Sequence, residues 1–121
     1  MSMSNLKTIQ IGPLGISNRA PLTIIAGPCV LESREHAFHM AEALSELTQK
    51  LQLGLIYKTS YDKANRTSVE SPRGVGIDDA LPIFSDLKSE FGFATLTDVH
   101  SAEEAITAAS VIDVLQIPAF L

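Results

Sequence analysis

Cysteine and tryptophan are nearly absent from this sequence of 121 residues, which contains one cysteine, Cys29, and no tryptophan. A lone cysteine excludes an internal disulfide and predicts a cytoplasmic protein. The N-terminal stretch lacks the apolar core of a signal peptide. The longest apolar run, residues 21–31, falls short of the roughly 20 residues that cross a bilayer, so we expect no transmembrane segment.

Basic residues are also few, since 9 Lys and Arg stand against 14 Asp and Glu and the formal net charge is −5. Nucleic acids and anionic membranes bind proteins through a basic face, so neither is an expected partner. With 45% apolar and 19% charged residues, the composition is that of a globular domain with one core. Any anion-binding site must therefore be local.

Strands and helices alternate along the predicted structure. Apolar and β-branched runs predict strands at residues 22–27, 53–58, 94–99 and 114–118. Apolar residues at steps of three and four predict helices between them, at residues 34–51, 76–92 and 102–110. Nearly continuous apolar strands indicate a parallel sheet covered on both faces, an α/β architecture. We expect a single domain over residues 1–121, preceded by a short arm at residues 1–21.

The helix boundaries carry their own signals. Ser33 is placed to cap the first helix, Gly92 ends the second, and Ser101 with Glu104 forms a capping-box pattern at the start of the third. The expected apolar face of the first helix consists of Ala37, Met40, Ala41, Leu44, Leu47 and Leu51.

Polar residues unusual for buried strands lie at the carboxyl ends of the predicted strands. They are Cys29, Lys58, Ser60, Asp98, His100 and Gln116. In parallel α/β folds, ligands bind at that edge, because loops and helix N-termini converge there. Each residue also has a structural interpretation: a buried apolar cysteine, strand-end partners for the backbone, or a solvated basic loop. Gln116 is harder to explain in this way, because a buried amide needs hydrogen-bond partners.

A local cluster of positive charge lies in "YKTSYDKANRTS", residues 57–68. Its cations are Lys58, Lys63 and Arg66, interleaved with Ser60, Asn65, Thr67 and Ser68. Arginine binds phosphate or carboxylate through two parallel hydrogen bonds, lysine adds a point charge, and hydroxyl and amide groups add direction. The loop predicts a site for such anions. His36 and His39, by contrast, lie three residues apart in a helix without acidic or cysteine partners in a motif, and we assign them no role.

Five segments together resemble one enzyme family: "AGPCVLES" at 26–33, "YKTSYDKANRTS" at 57–68, "RGVG" at 73–76, "LTDVH" at 96–100 and "VLQIPAFL" at 114–121. They are similar to the 3-deoxy-D-manno-octulosonate 8-phosphate synthases, also called 2-dehydro-3-deoxyphosphooctonate aldolases. These transferases form a carbon–carbon bond between phosphoenolpyruvate and arabinose 5-phosphate and release phosphate. The resemblance runs from about residue 22 to the end and implies the N-terminal half of a (β/α)8 barrel, with four parallel strands and alternating helices.

The resemblance also implies roles for the strand-end residues. Phosphoenolpyruvate would be held by Lys58, Ser60 and Lys63, and arabinose 5-phosphate by Asn65, Arg66, Thr67 and Ser68. The segment beside phosphoenolpyruvate matches Gln116, Pro118 and Ala119. The residues expected to take part in catalysis are Lys63, Asp98 and His100.

Cys29 resembles the metal ligand of the family's metal-dependent branch, where the metal-independent branch has asparagine. A thiolate suits a divalent ion such as Zn, Fe, Mn or Co. The remaining ligands are expected beyond Leu121, so the chain alone is expected to be inactive. Family members are homo-oligomers, commonly tetramers, and supply a precursor of lipopolysaccharide.

Two alternatives stay open at this point. The related synthase that uses erythrose 4-phosphate shares the Gly-Pro-Cys strand end, but it has a Lys-Pro-Arg-Thr-Ser type of loop where this chain has Asn65 inserted. The chain can also be a non-catalytic half-barrel that binds a phosphorylated metabolite or assembles with a partner.

Overall fold

The computed structural model describes residues 6–63 and 73–119, in which strands and helices alternate. The chain begins with the short strands β1 and β2 and continues through a βα repeat. The elements are β1 Ile9–Ile11, β2 Leu14–Ile16, β3 Thr23–Ala26, α1 Arg34–Leu51, β4 Gly54–Lys58, α2 Ile77–Phe91, β5 Ala94–Asp98, α3 Ala102–Ala108 and β6 Val114–Gln116.

The main sheet has four strands in the order β3-β4-β5-β6, and all neighbouring pairs are parallel. Within the described residues it is open, because β3 and β6 each pair with a neighbour on one side only. This arrangement confirms the predicted α/β fold and is that of a partial (β/α)8 barrel. The assignment of the whole chain to one domain stays a prediction.

Helix α1 spans the predicted residues, and its buried face overlaps the predicted one in part. Ser33 caps it as expected, because its hydroxyl oxygen accepts the His36 backbone N–H at 3.1 Å. The predicted apolar face is partly wrong, since Leu47 and Leu51 are 53% and 56% exposed. Ala37 and Ala41 are buried as predicted, and the other buried positions are Ser45 and Thr48. The buried stripe of α1 therefore runs through small residues and leaves the two leucines outside it.

Helix α2 packs one apolar face into the core. Ala80, Phe84 and Leu87 are fully buried on one face, as their spacing predicts. The helix ends at Gly92, which has a left-handed φ of 71° and whose N–H donates to the Lys88 carbonyl oxygen at 2.9 Å. Its acidic first turn and its lysine in the last turn both suit the helix dipole.

Strands β1 and β2 form an antiparallel hairpin within the predicted N-terminal arm. Gly12 at the turn has φ 52°, a conformation that glycine adopts without steric cost. A second cluster of apolar residues, separate from the core under the helices, joins this hairpin to the main sheet. It consists of Ile56, Ala94 and Leu96 from the sheet, packed against Ile11, Leu14, Ile16 and Val114. The hairpin therefore covers the face of β4 and β5 that is opposite the helices.

Candidate active site

Parallel pairing brings the polar residues that follow β3 and β4 together at one edge of the sheet. The Ser60 backbone N–H donates to the Cys29 carbonyl oxygen at 3.3 Å, and Val30 and Ser60 form an isolated parallel bridge. Lys58, the last residue of β4, is half-buried there. The two strand ends are therefore held side by side by backbone hydrogen bonds, as the sequence predicts.

The ends of β5 and β6 continue this edge. Asp98 pairs in register with Gln116, and the Val99 N–H donates to the Gln116 carbonyl oxygen at 3.0 Å. The Gln116 side chain is exposed, however, so the expectation of a buried amide is wrong. Since β6 is an edge strand in the described part of the chain, its side chains lack a neighbour on one flank. Pro118 is half-buried and Ala119 exposed just beyond the strand.

Asp98 and His100 form a close acid–imidazole pair at this edge. His100 Nε2 lies 2.9 Å from Asp98 Oδ2, and both side chains are largely buried. Burial alone would raise the pKa of Asp98, but the contacts with His100 and Ser60 outweigh it and lower that pKa. The carboxylate is therefore ionised at neutral pH and orients the ring. Nδ1, the other ring nitrogen, takes no part in this contact.

The lowered pKa of Asp98 predicts a pH dependence of stability. A carboxyl group whose pKa is lower in the folded state than in the unfolded state stabilises the fold at pH values above the unfolded pKa, about 3.9 for aspartate. This contribution disappears as the pH falls through the pKa of the folded state. The stability difference between the parent protein and Asp98→Asn should therefore shrink as the pH falls from about 6 to below about 3. Urea unfolding across that range checks this, and a difference that stays constant would contradict it.

Lys63 lies in a short paired segment, which we call the loop base, formed by residues 61–63 and 73–76. The Lys63 N–H donates to the Arg73 carbonyl oxygen at 2.6 Å, and the Gly76 N–H donates to the Tyr61 carbonyl oxygen at 2.9 Å. The Arg73 guanidinium binds the Asp62 carboxylate through both oxygens, at 2.6 and 3.3 Å. The predicted substrate residues Asn65, Arg66, Thr67 and Ser68 fall outside the described residues.

Gly74 shows how closely the two segments of the loop base, residues 61–63 and 73–76, approach each other. A Cβ atom at position 74 would lie 2.2 Å from the Tyr61 carbonyl oxygen. The φ angle of Gly74 is 117°. Only glycine satisfies both constraints. The backbone that carries Lys63 is therefore tightly positioned beside the strand ends.

Cys29 is exposed at the end of β3, consistent with an accessible thiol. No group of three His, Cys, Asp or Glu side chains suited to a metal ion occurs among residues 6–63 and 73–119. Because protein metal sites usually need three or four ligands, these residues do not by themselves form one, and Cys29 supplies at most a single ligand.

Two residues behind the acid–imidazole pair, Tyr61 and Glu104, were not predicted as part of the site. The Tyr61 hydroxyl donates to Glu104 Oε1 at 2.7 Å, and the Tyr61 ring stacks against the His100 ring with centroids 5.5 Å apart. The sequence pattern indicated Glu104 only as part of a capping box; in the structure the Glu104 N–H donates to the Ser101 hydroxyl oxygen, and that hydroxyl donates to the Glu104 carboxylate. The one available signal was an aromatic residue directly after Ser60 in a polar loop.

A half-barrel of parallel strands with lysines and an acid–imidazole pair at its carboxyl edge is the arrangement of an α/β-barrel enzyme site. The chain matches the DAHP synthetase I family over residues 6–121 and belongs to that family. It is also similar to proteins named 2-dehydro-3-deoxyphosphooctonate aldolase from Brucella ovis, Brucella abortus and Brucella melitensis. The identity is 57% over 114 residues in each case, covering 94% of this chain and 41% of the relative.

These relatives confirm the family resemblance inferred from the five sequence segments. The chain spans about two-fifths of their length, since the matched segment covers 41% of each relative. Within the part of the chain that the structure describes, no helix is both long enough and apolar enough to span a membrane.

Proposed function

We propose that this chain contributes the phosphoenolpyruvate-binding and arabinose 5-phosphate-binding residues of a 3-deoxy-D-manno-octulosonate 8-phosphate synthase. The observation that carries the proposal is the 57% identity to proteins named for this product. The convergence of Lys58, Ser60 and the Asp98–His100 pair at one sheet edge supports it. In the reaction, the vinyl carbon of phosphoenolpyruvate bonds to the sugar aldehyde carbon, water adds to the adjacent carbon, and phosphate leaves.

Lys58 and Lys63 act mainly on charge and orientation in this proposal. Lys58 ends β4, which is held between β3 and β5, and Lys63 lies in the loop base, so both backbones have fixed positions. Cations placed there offset the carboxylate and phosphate charges of phosphoenolpyruvate, and a fixed substrate pose lowers the entropic cost of bringing two molecules together. Asn65, Arg66, Thr67 and Ser68 are proposed to bind the sugar phosphate.

The Asp98–His100 pair is proposed to act at the sugar end. Asp98 holds His100 through Nε2 at 2.9 Å, so the ring has a defined orientation. Nδ1 is then the atom that can exchange a proton or a hydrogen bond with the reacting oxygen. Gln116, Pro118 and Ala119 are proposed to line the phosphoenolpyruvate side of the site.

We also propose Cys29 as one thiolate ligand of a divalent metal ion (Zn, Fe, Mn or Co), with the other ligands coming from outside the described residues. Such an ion would supply Lewis acidity. The proposal also includes a homo-oligomeric state, tetrameric by family resemblance. It places the protein in the cytoplasm and assigns it a role in making a lipopolysaccharide precursor.

The test is a chimera in which this chain replaces the matching segment of the Brucella ovis relative, because the matched segment covers 41% of that protein. The chimera should release phosphate from phosphoenolpyruvate with arabinose 5-phosphate. It should use erythrose 4-phosphate roughly 100-fold less well, because the sugar-binding residues are selected for the longer substrate. The chain alone should show no turnover.

Two outcomes would contradict the proposal. Preference for erythrose 4-phosphate would assign the chain to the related synthase instead. A folded chimera that binds phosphoenolpyruvate in calorimetry but turns over neither sugar phosphate would favour the non-catalytic binding function. The unmodified Brucella ovis protein serves as the positive control.

A further inference from the structure

Tyr61 is a buried polar residue directly behind the proposed catalytic pair. It follows Ser60 at the end of β4 and is 1% exposed. Its hydroxyl donates to Glu104 Oε1 at 2.7 Å, a short hydrogen bond between a phenol and a carboxylate. Burial and the Glu104 carboxylate raise the pKa of Tyr61, so the hydroxyl keeps its proton at neutral pH.

Glu104 is itself fixed. It lies in the first turn of α3, where its N–H donates to the Ser101 hydroxyl oxygen at 3.1 Å. The Ser101 hydroxyl in turn donates to Glu104 Oε2 at 3.3 Å. The Tyr61 hydroxyl is therefore attached to a helix start that is locked by its own cap, which links the end of β4 to the start of α3.

His100 lies between Tyr61 and Asp98. Its ring stacks on the Tyr61 ring at 5.5 Å between centroids with an angle of 29°, and its Nε2 lies 2.9 Å from Asp98. The ring is therefore held by Asp98 at one nitrogen and by Tyr61 on one face. Packing alone needs only an aromatic ring, whereas the hydrogen bond to Glu104 fixes where that ring lies.

We propose that the hydroxyl of Tyr61, held by Glu104, makes Tyr61 a positioning residue that sets the orientation of the His100 ring against Asp98. The consequence for catalysis rests on the proposed function, but the consequence for the His100 ring does not. The two can be measured separately.

The chain offers a matched control for the test. Tyr57 is also fully buried, and its hydroxyl donates to the Ala37 carbonyl oxygen at 3.3 Å, on the side of the sheet covered by α1. Tyr61→Phe and Tyr57→Phe thus remove the same atom from equally buried sites, and only the first lies against His100.

The first measurement is the NMR spectrum of the histidine rings in the full chain. Tyr61→Phe should shift the ring nitrogen and proton resonances of His100, while Tyr57→Phe should leave them in place. His36 and His39 serve as internal references, and His100→Asn assigns the signal. His100 resonances that are unchanged in Tyr61→Phe, or shifted equally by both variants, would overturn the proposal.

The second measurement is kinetic and uses the chimera. Tyr61→Phe should lower kcat/KM roughly tenfold through kcat, the scale expected for losing a hydrogen bond to a charged group. Tyr57→Phe should change kcat by less than about twofold at a similar loss of thermal stability. Glu104→Gln keeps an acceptor oxygen and should retain more activity than Tyr61→Phe. Equal kcat values for the two tyrosine variants would overturn the catalytic part, whereas an inactive parent chimera would contradict the proposed function and leave the NMR result to decide on Tyr61.

Discussion

Replacing Gly27 with alanine is expected to lower the free energy of unfolding by about 3 kcal/mol, at the upper end of the usual cost of overpacking. Gly27 follows β3 directly, beside the end of β4. A Cβ atom there would lie 1.8 Å from the Lys58 carbonyl oxygen and 2.8 Å from its carbonyl carbon. These are backbone atoms, so they cannot move aside without separating the two strands. The substitution should therefore also displace Lys58 from the proposed substrate site.

Urea unfolding of Gly27→Ala and of the parent protein measures this loss. Gly92→Ala is the matched control, because its added Cβ meets nothing within 4 Å and only the left-handed φ of 71° is strained. We expect a cost of roughly 1 kcal/mol for the control, the scale of a left-handed conformation in a residue with a Cβ. Equal losses of unfolding free energy in the two variants would contradict the prediction, because the close approach of Gly27 to Lys58 would then add no cost of its own.

Asp98→Asn is expected to lower kcat/KM of the chimera by about 100-fold, within the range measured for general acid–base groups. An amide has no charge to favour the proton on His100 Nε2, and its rotation can present an N–H in place of an acceptor. The ring then loses both its orientation and its preferred tautomer. The fall should appear mainly in kcat, since Asp98 holds His100 and is not proposed to bind phosphate.

Steady-state kinetics with both substrates varied measure this effect. Asp79→Asn makes the same chemical change at an exposed position in the first turn of α2 and should leave kcat within about twofold. A loss of activity no greater than in the control would remove Asp98 from the proposed catalytic machinery.

The elements of the βα repeat follow from local signals in the sequence. Helix α1 has the predicted bounds because Ser33 supplies an N-cap and the apolar spacing is helical. Helix α2 ends at Gly92 because glycine adopts the left-handed φ that a C-cap favours. The strands are short apolar runs between these helices, and their parallel order follows from the alternation itself. Each signal acts within a few residues, so no distant contact is needed to predict it.

The edge that carries the candidate site was also predictable, since parallel strands place their carboxyl ends together. The order of the strands thus brings Cys29, Ser60 and Asp98 to one edge without knowledge of any side-chain contact. The N-terminal hairpin was not predicted, although a glycine–proline pair between two short apolar segments was a signal for it. Its strands have three residues each and are stabilised by packing on Ile56, Ala94 and Leu96.

The sequence by itself determined the order of the elements, the helix caps and the family, because these depend on neighbouring residues and on motifs. Only the tertiary structure decided which face α1 buries, that Gln116 is exposed, and that Gly27 and Gly74 lie against backbone carbonyls. It also joined Tyr61 to Glu104, 43 positions away, and stacked Tyr61 on His100. Such contacts join residues far apart in the chain, and their geometry depends on how α1, α2 and α3 pack on the sheet, which no local pattern specifies.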